Sequence, residues 1–142
     1  MLSEEQKKTL KELSANVIRY VMDQIENCRI EEMVNDISFV LSLYLKKIAE
    51  MNNPTLSELA VHMKRSKPSV TIAVDKLESK GYIQRVQSDR DCRSFHLHLT
   101  EKGRRFNEAQ KTTEYKLYEK VSNSLTEEEM KQFLAINKKI FK

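Results

Sequence analysis

The residues best equipped for chemistry lie in the second half of the chain. Between Ser88 and Ser94 stand Asp89, Arg90, Asp91, Cys92 and Arg93, two guanidiniums interleaved with carboxylates. Upstream, Arg65, Lys67, Ser69, Thr71, Ile72 and Lys76 fall within one short stretch. Cationic side chains neutralise phosphates, and small hydroxyls reach either phosphates or base edges, so the chemistry on offer is recognition of a polyanion rather than bond making. If part of the charge at 89–93 is used internally to hold a loop, with Asp89 and Asp91 shaping it, one guanidinium is left to project. A projecting Arg suits a narrow minor groove, where negative potential concentrates. No glycine-rich phosphate loop, Gly-x-Ser-x-Gly or His-Glu-x-x-His occurs, and no enzyme activity is expected.

Metal and thiol chemistry are weaker readings. His96 and His98 share one face of an alternating segment, close after Cys92, but a metal site needs three or four converging ligands and a single strand offers few. No metal and no cofactor is expected, and the histidines read as solvent- or phosphate-facing. Cys28 and Cys92 are too few and too far apart for a disulfide framework, and no Cys-x-x-Cys occurs. Cys28 reads as inert, and Cys92 as reactive only if a neighbouring Arg lowers its pKa.

The charge distribution supports a polyanion partner. The chain has 142 residues and a formal net charge of +4. Residues 54–105 hold 11 Lys and Arg against 6 Asp and Glu, whereas the rest holds 14 against 15, so the excess is local. A basic middle between near-neutral arms fits a polyanion-binding module flanked by structural segments. The length suits a single domain. No apolar run approaches the roughly 18–20 residues of a membrane span, and the polar, acidic N-terminus does not resemble a secretory signal, so a cytoplasmic protein is expected.

These residues have to be positioned by a mainly helical frame, because two glycines and two prolines leave little punctuation. Ser3-x-x-Gln6 is a capping box, and Leu10, Leu13, Val17, Tyr20, Val21 and Ile25 behind it predict one long amphipathic helix ending near Asn27. A second helix is predicted from Ile37 to about Met51, stopped where Pro54 pushes Asn53 out of helical geometry. Thr55-x-x-Glu58 caps a short helix from Leu56 to Met63, with Leu59, Ala60 and Met63 inward. Ser66 caps the next, with Pro68 in its first turn, Val70, Val74 and Leu77 inward, and Gly81 as a left-handed terminator. Tyr82 to Gln87 and Ser94 to Thr100 read as strands, the second with Phe95, Leu97 and Leu99 on one face. Helix resumes after Gly103, breaks at Ser122-Asn123-Ser124, and restarts behind the Thr126-x-x-Glu129 box.

A short helix, a turn at Lys64-Arg65-Ser66, a second helix and a hairpin make a winged helix-turn-helix. The fold class expected is therefore mainly α with a small β-hairpin wing. The residues alone leave two other readings open: a helical hairpin whose charged face is only solvated, and a winged-helix module that binds another protein without specific DNA binding.

Residues 55–103 closely resemble the DNA-binding lobe of the MarR (multiple antibiotic resistance regulator) family, and the chain matches that family in length and helix order. The pieces are Thr-Leu-Ser-Glu-Leu-Ala at 55–60, Pro-Ser-Val-Thr at 68–71, Val-Asp-Lys-Leu-Glu-Ser-Lys-Gly-Tyr-Ile at 74–83, Arg-Asp-x-Arg at 90–93 and Leu-Thr-Glu-Lys-Gly at 99–103. The resemblance implies a cytoplasmic homodimeric transcription regulator, usually a repressor, that binds a pseudo-palindromic operator in double-stranded DNA. Each recognition helix would enter the major groove and each wing the minor groove. It further implies a winged helix-turn-helix lobe at 34–103, dimerisation helices at 1–33 and 104–142, and release by a small aromatic or lipophilic effector, for which Tyr20, Phe39, Tyr44 and Met63 are candidates. By position, Arg90 resembles the wing arginine that enters the minor groove, and Arg93 with Asp91 the pair that shapes the wing. Ser88 stands where the family often has Asp, which puts the brace for Arg93 on Asp89 or Asp91. Ile72 stands where it often has Arg, which points to an A·T-leaning site with Ile72 near a thymine methyl.

Overall fold

The computed structural model describes residues 2–27, 36–88 and 94–141, with backbone alone for 25–27. Among the described residues six helices and one hairpin follow in the order α1 (Glu4–Asn27), α2 (Phe39–Met51), α3 (Leu56–Met63), α4 (Lys67–Ser79), β1 (Ile83–Gln87), β2 (Phe95–Leu99), α5 (Glu101–Ser124) and α6 (Glu127–Ile140). The order is the one the sequence predicts. The chain divides into two compact units, residues 28–110 and residues 1–27 with 111–142.

In the 28–110 unit local signals set each boundary. Ser38 caps α2 by accepting from the Leu41 N–H, and the helix stops at Asn52, whose φ of 54° is left-handed. Asn53 also turns left-handed at φ 67°, where the residue before a proline ordinarily goes extended. Asparagine tolerates this conformation better than most residues, so two in succession make a tight corner into α3. The Thr55–Glu58 capping box opens α3, and Ser66 opens α4 with Pro68 in the first turn. Gly81 adopts φ 75° just after α4, as its position predicts.

The apolar faces meet in one core. Leu45 and Ile48 of α2, Leu59 of α3, and Val70, Val74 and Leu77 of α4 are fully buried, with Tyr82, Ile83 and Leu97 closing the core from the hairpin side. Each such side chain stabilises by about 1.5–3 kcal/mol relative to exposure. β1 and β2 pair antiparallel from Ile83 opposite Leu99 to Gln87 opposite Phe95, and the Ser88 N–H donates to the Ser94 carbonyl one rung further out. Alternation on β2 holds, with Leu97 buried, but Phe95 lies beyond the core edge and is 46% exposed.

The outer edge of β2 is also used. Leu97 N–H donates to the Pro54 carbonyl, Thr55 bridges His96, and His96 Nδ1 lies 2.8 Å from the Asn53 carbonyl oxygen. His96 is thus half-buried against the corner before α3 rather than simply facing solvent or phosphate. The chain entering α3 adds a single bridge to this edge, which no local sequence signal announces.

The start of α5 differs from the sequence reading as well. The helix begins at Glu101, not after Gly103, because Thr100 acts as its cap: Thr100 Oγ1 accepts from the Gly103 N–H at 3.1 Å and donates to the Gly81 carbonyl at 2.6 Å. Gly103 sits in the first turn, where an added Cβ would lie 2.1 Å from the Tyr82 carbonyl oxygen.

A polar cluster joins three parts of this unit. Asp36 takes Lys80 Nζ at 3.0 Å on one oxygen, and Lys102 Nζ at 2.7 Å and the Tyr82 hydroxyl at 2.9 Å on the other. Lys102 also donates to the Lys80 carbonyl and stands 4.2 Å from the Tyr82 ring centroid. Hydrogen bonds from Lys102, then Lys80, then Tyr82 hold the Asp36 carboxyl well below the usual carboxylate range, while burial, reinforced by Asp36, pushes the Tyr82 phenol well up. Because the folded pKa of Asp36 is depressed, its contribution is fully present above the unfolded value of about 3.9 and is lost as pH falls through the folded one. The melting temperature of wild type should therefore exceed that of Asp36→Asn at neutral pH, and the difference should shrink progressively below about pH 4. A pH-independent difference would contradict the assignment.

In the unit of residues 1–27 with 111–142, Ser3 and Gln6 form the expected capping box on α1, and Thr126 and Glu129 form another on α6. The Tyr20 hydroxyl donates to the Lys116 carbonyl at 3.0 Å, and Lys120 Nζ lies 5.2 Å from the Tyr20 ring centroid. The predicted apolar stripe of α1 is only partly covered: Leu10, Leu13 and Val17 are exposed while Tyr20 and Val21 are half-buried, and α6 leaves Phe133, Leu134, Ile136 and Ile140 exposed. Among the described residues no helix is long and apolar enough to cross a membrane.

Candidate nucleic-acid interface

α4 and the turn before it carry the candidate interface residues, because the inner face of the helix is committed to the core. With Val70, Ala73, Val74 and Leu77 inward, Thr71, Ile72, Asp75 and Lys76 fall on the outward side at helical spacing. Lys64 closes α3 in a left-handed conformation at φ 50°, which swings Arg65 and Ser66 across to the start of α4. Arg65, Lys67, Ser69 and Lys76 are exposed, and Ile72 is 58% exposed. Among the described residues the ion pairs near α4 use Asp75, Glu78, Lys80 and Arg85, and none engages Arg65, Lys67 or Lys76. The helix dipole adds positive potential at the same end, although Pro68 has no N–H to offer and the Ser69 N–H is taken by Ser66 Oγ.

Two hydroxyls are less free than the sequence implies. Ser69 Oγ lies 2.9 Å from Ser66 Oγ within the cap, and Thr71 Oγ1 donates to the Lys67 carbonyl at 2.9 Å. Thr71 has its proton committed and keeps acceptor capacity, so it suits a donor such as a base amino group better than a phosphate, whereas in the Ser66–Ser69 pair either hydroxyl can donate.

The outward face is tied to the hairpin by a group that the sequence reading passed over. Arg85 on β1 pairs with Asp75 at 2.6 Å and with the Glu78 carboxylate, and its own backbone N–H donates to Glu78 at 3.2 Å. A signal was present: period-two alternation places Arg85 on the same inward face as Ile83, where a charge requires a partner, and Asp75 and Glu78 stand one turn apart.

Arg65, Lys67, Ser69, Thr71, Ile72 and Lys76 are thus brought together on one turn and one helix. Arg90, Arg93, Asp89 and Asp91, with Cys92 and Cys28, lie outside the described residues. Of the effector candidates, Tyr44 is buried in the core, Met63 packs against it, Phe39 stands 76% exposed on α2, and Tyr20 belongs to the other unit. Among the described residues no three His, Cys, Asp or Glu side chains converge as a metal site would need.

The MarR family profile matches residues 42–95, from within α2 to the start of β2. Transcriptional repressor MprA of Escherichia coli K12 is 37% identical over 73 residues, a match that spans 51% of this chain and 41% of MprA. HTH-type transcriptional regulator BilQ of Clostridium symbiosum is 30% identical over 115 residues, covering 81% of this chain and 80% of BilQ. The chain belongs to the MarR family. A crystal structure of Streptococcus pneumoniae FabT in complex with DNA extends the likeness of this MarR-family chain to its fold. The TM-score is 0.77 at 27% identity, over 95% of this chain and 92% of FabT. The MarR profile covers the corner at Asn52 and Asn53, all of α3 and α4, and the Arg85 clamp, which are the parts that set the outward face.

Proposed function

We propose that this MarR-family chain is a sequence-specific, double-stranded DNA-binding transcription regulator, acting as a homodimeric repressor in the cytoplasm and released by a small aromatic or lipophilic effector. The observation that carries the reading is the outward face of α4 and its preceding turn, where Arg65, Lys67 and Lys76 stand without carboxylate partners among the described residues. The likeness to FabT, solved with DNA, supports placing α4 in the major groove. Arg90 is assigned to the adjacent minor groove, and Arg93 with Asp89 and Asp91 to the shape of the wing. Residues 34–103 form the DNA-binding lobe and 1–33 with 104–142 the dimerisation helices.

Selection of duplexes from a random-sequence pool tests the DNA reading. Enrichment of a two-fold pseudo-palindrome with half-sites about one helical turn apart is the expected result. No enriched sequence, with binding of another protein in place of DNA, would overturn it.

The uncovered apolar side chains of α1 and α6 support assembly through those helices, since large apolar side chains left exposed along a helix favour burial against a partner. Sedimentation should give a dimer for the full chain, and monomer or insoluble protein after deletion from Leu125 onward. A stable truncated dimer would contradict this interface.

A further inference from the structure

The clamp at Arg85 has a role that its fold position alone does not require. Asp75 lies on the outward face of α4 beside Lys76 and is more than half exposed, and Glu78 lies one turn on. Two carboxylates on a helix that approaches phosphates would repel them, and that repulsion strengthens as water is excluded from the contact. Arg85 meets both carboxylates, and its backbone N–H takes a second Glu78 oxygen. The planar guanidinium fixes direction as well as charge, which a lysine ammonium would not.

We propose that Arg85 is a positioning residue for DNA recognition: it masks Asp75 and Glu78 from the DNA backbone and fixes the spacing between the recognition helix α4 and the wing. The proposal rests on the DNA-binding reading. The two roles separate by substitution. Arg85→Met keeps the apolar stem and removes both roles; Arg85→Lys keeps the charge and loses the two-carboxylate fork. The triple variant Arg85→Met, Asp75→Asn, Glu78→Gln removes the repulsion but not the loss of spacing.

The probe is the duplex that the wild-type chain enriches from a random pool, read by affinity and by hydroxyl-radical footprinting. Arg85→Met should bind about tenfold or more weakly and lose protection at the minor-groove flanks while keeping it at the centre of each half-site. Arg85→Lys should fall between it and wild type, and the triple variant should recover affinity without recovering flank protection. If Arg85→Met melts out, Arg85→Lys carries the test alone, through weakened flank protection in a folded protein. Unchanged affinity and footprint in a folded Arg85→Met, or in Arg85→Lys where Met does not fold, would overturn the positioning role while leaving DNA binding intact. Failure of wild type to enrich any duplex would instead sink the DNA reading, and this proposal with it.

Discussion

Replacing Arg65, Lys67 and Lys76 together by Ala is expected to weaken binding to the selected duplex by on the order of 100- to 1,000-fold near physiological salt. All three side chains are exposed, and none is paired with a carboxylate among the described residues, so their charge is available to phosphate at no cost in broken ion pairs. A dimer would lose six cations at once. Counterion release then predicts that the slope of log affinity against log salt becomes shallower by roughly five, at about 0.9 per phosphate contact. Folding should survive, since exposed substitutions away from caps and ion pairs usually change stability by no more than about 0.5 kcal/mol each. A triple variant with wild-type melting and a wild-type salt slope would remove these residues from the interface.

The largest effect on stability is expected at Gly103. An added methyl would meet the Tyr82 carbonyl oxygen at 2.1 Å, its carbon at 3.1 Å and Leu99 Cβ at 3.4 Å. The Tyr82 backbone has little room to move: its carbonyl accepts from the Thr100 N–H at 3.0 Å, its ring is fully buried edge-on to Phe106, and its hydroxyl is held by Asp36. Gly103→Ala should therefore cost about 3 kcal/mol or more, and lower the melting temperature by about 10 °C. Gly81→Ala makes the contrast. Gly81 has a positive φ of 75° but open space around it, so only backbone strain is added, about 1 kcal/mol. Equal melting temperatures for the two variants would contradict the close approach at Gly103.

Much of the helical frame was legible because its signals are local. Thr55 with Glu58, and Thr126 with Glu129, name their own helix starts, and Val70, Val74 and Leu77 mark an inner face by spacing alone. The features that escaped depend on residues far apart in sequence. Asp36 is 44 and 66 residues from the two lysines that hold it, and His96 is 43 from the carbonyl at its ring. Gly103 reads as a helix breaker because glycine usually is one, yet here it is kept for the close approach of Tyr82, which only the packed hairpin reveals. Of the candidate interface, the outward placement of the polar α4 residues was legible from their spacing, whereas Arg85 was hidden by a strand short enough that one inward charge passes unremarked.

Binding of the DNA backbone by the α4 face is tested most directly by a salt titration of the wild-type chain on the duplex it selects. Between about 50 and 200 mM salt, affinity should fall by roughly three orders of magnitude or more, as six or more phosphate contacts require. Affinity that barely changes over that range would contradict the account.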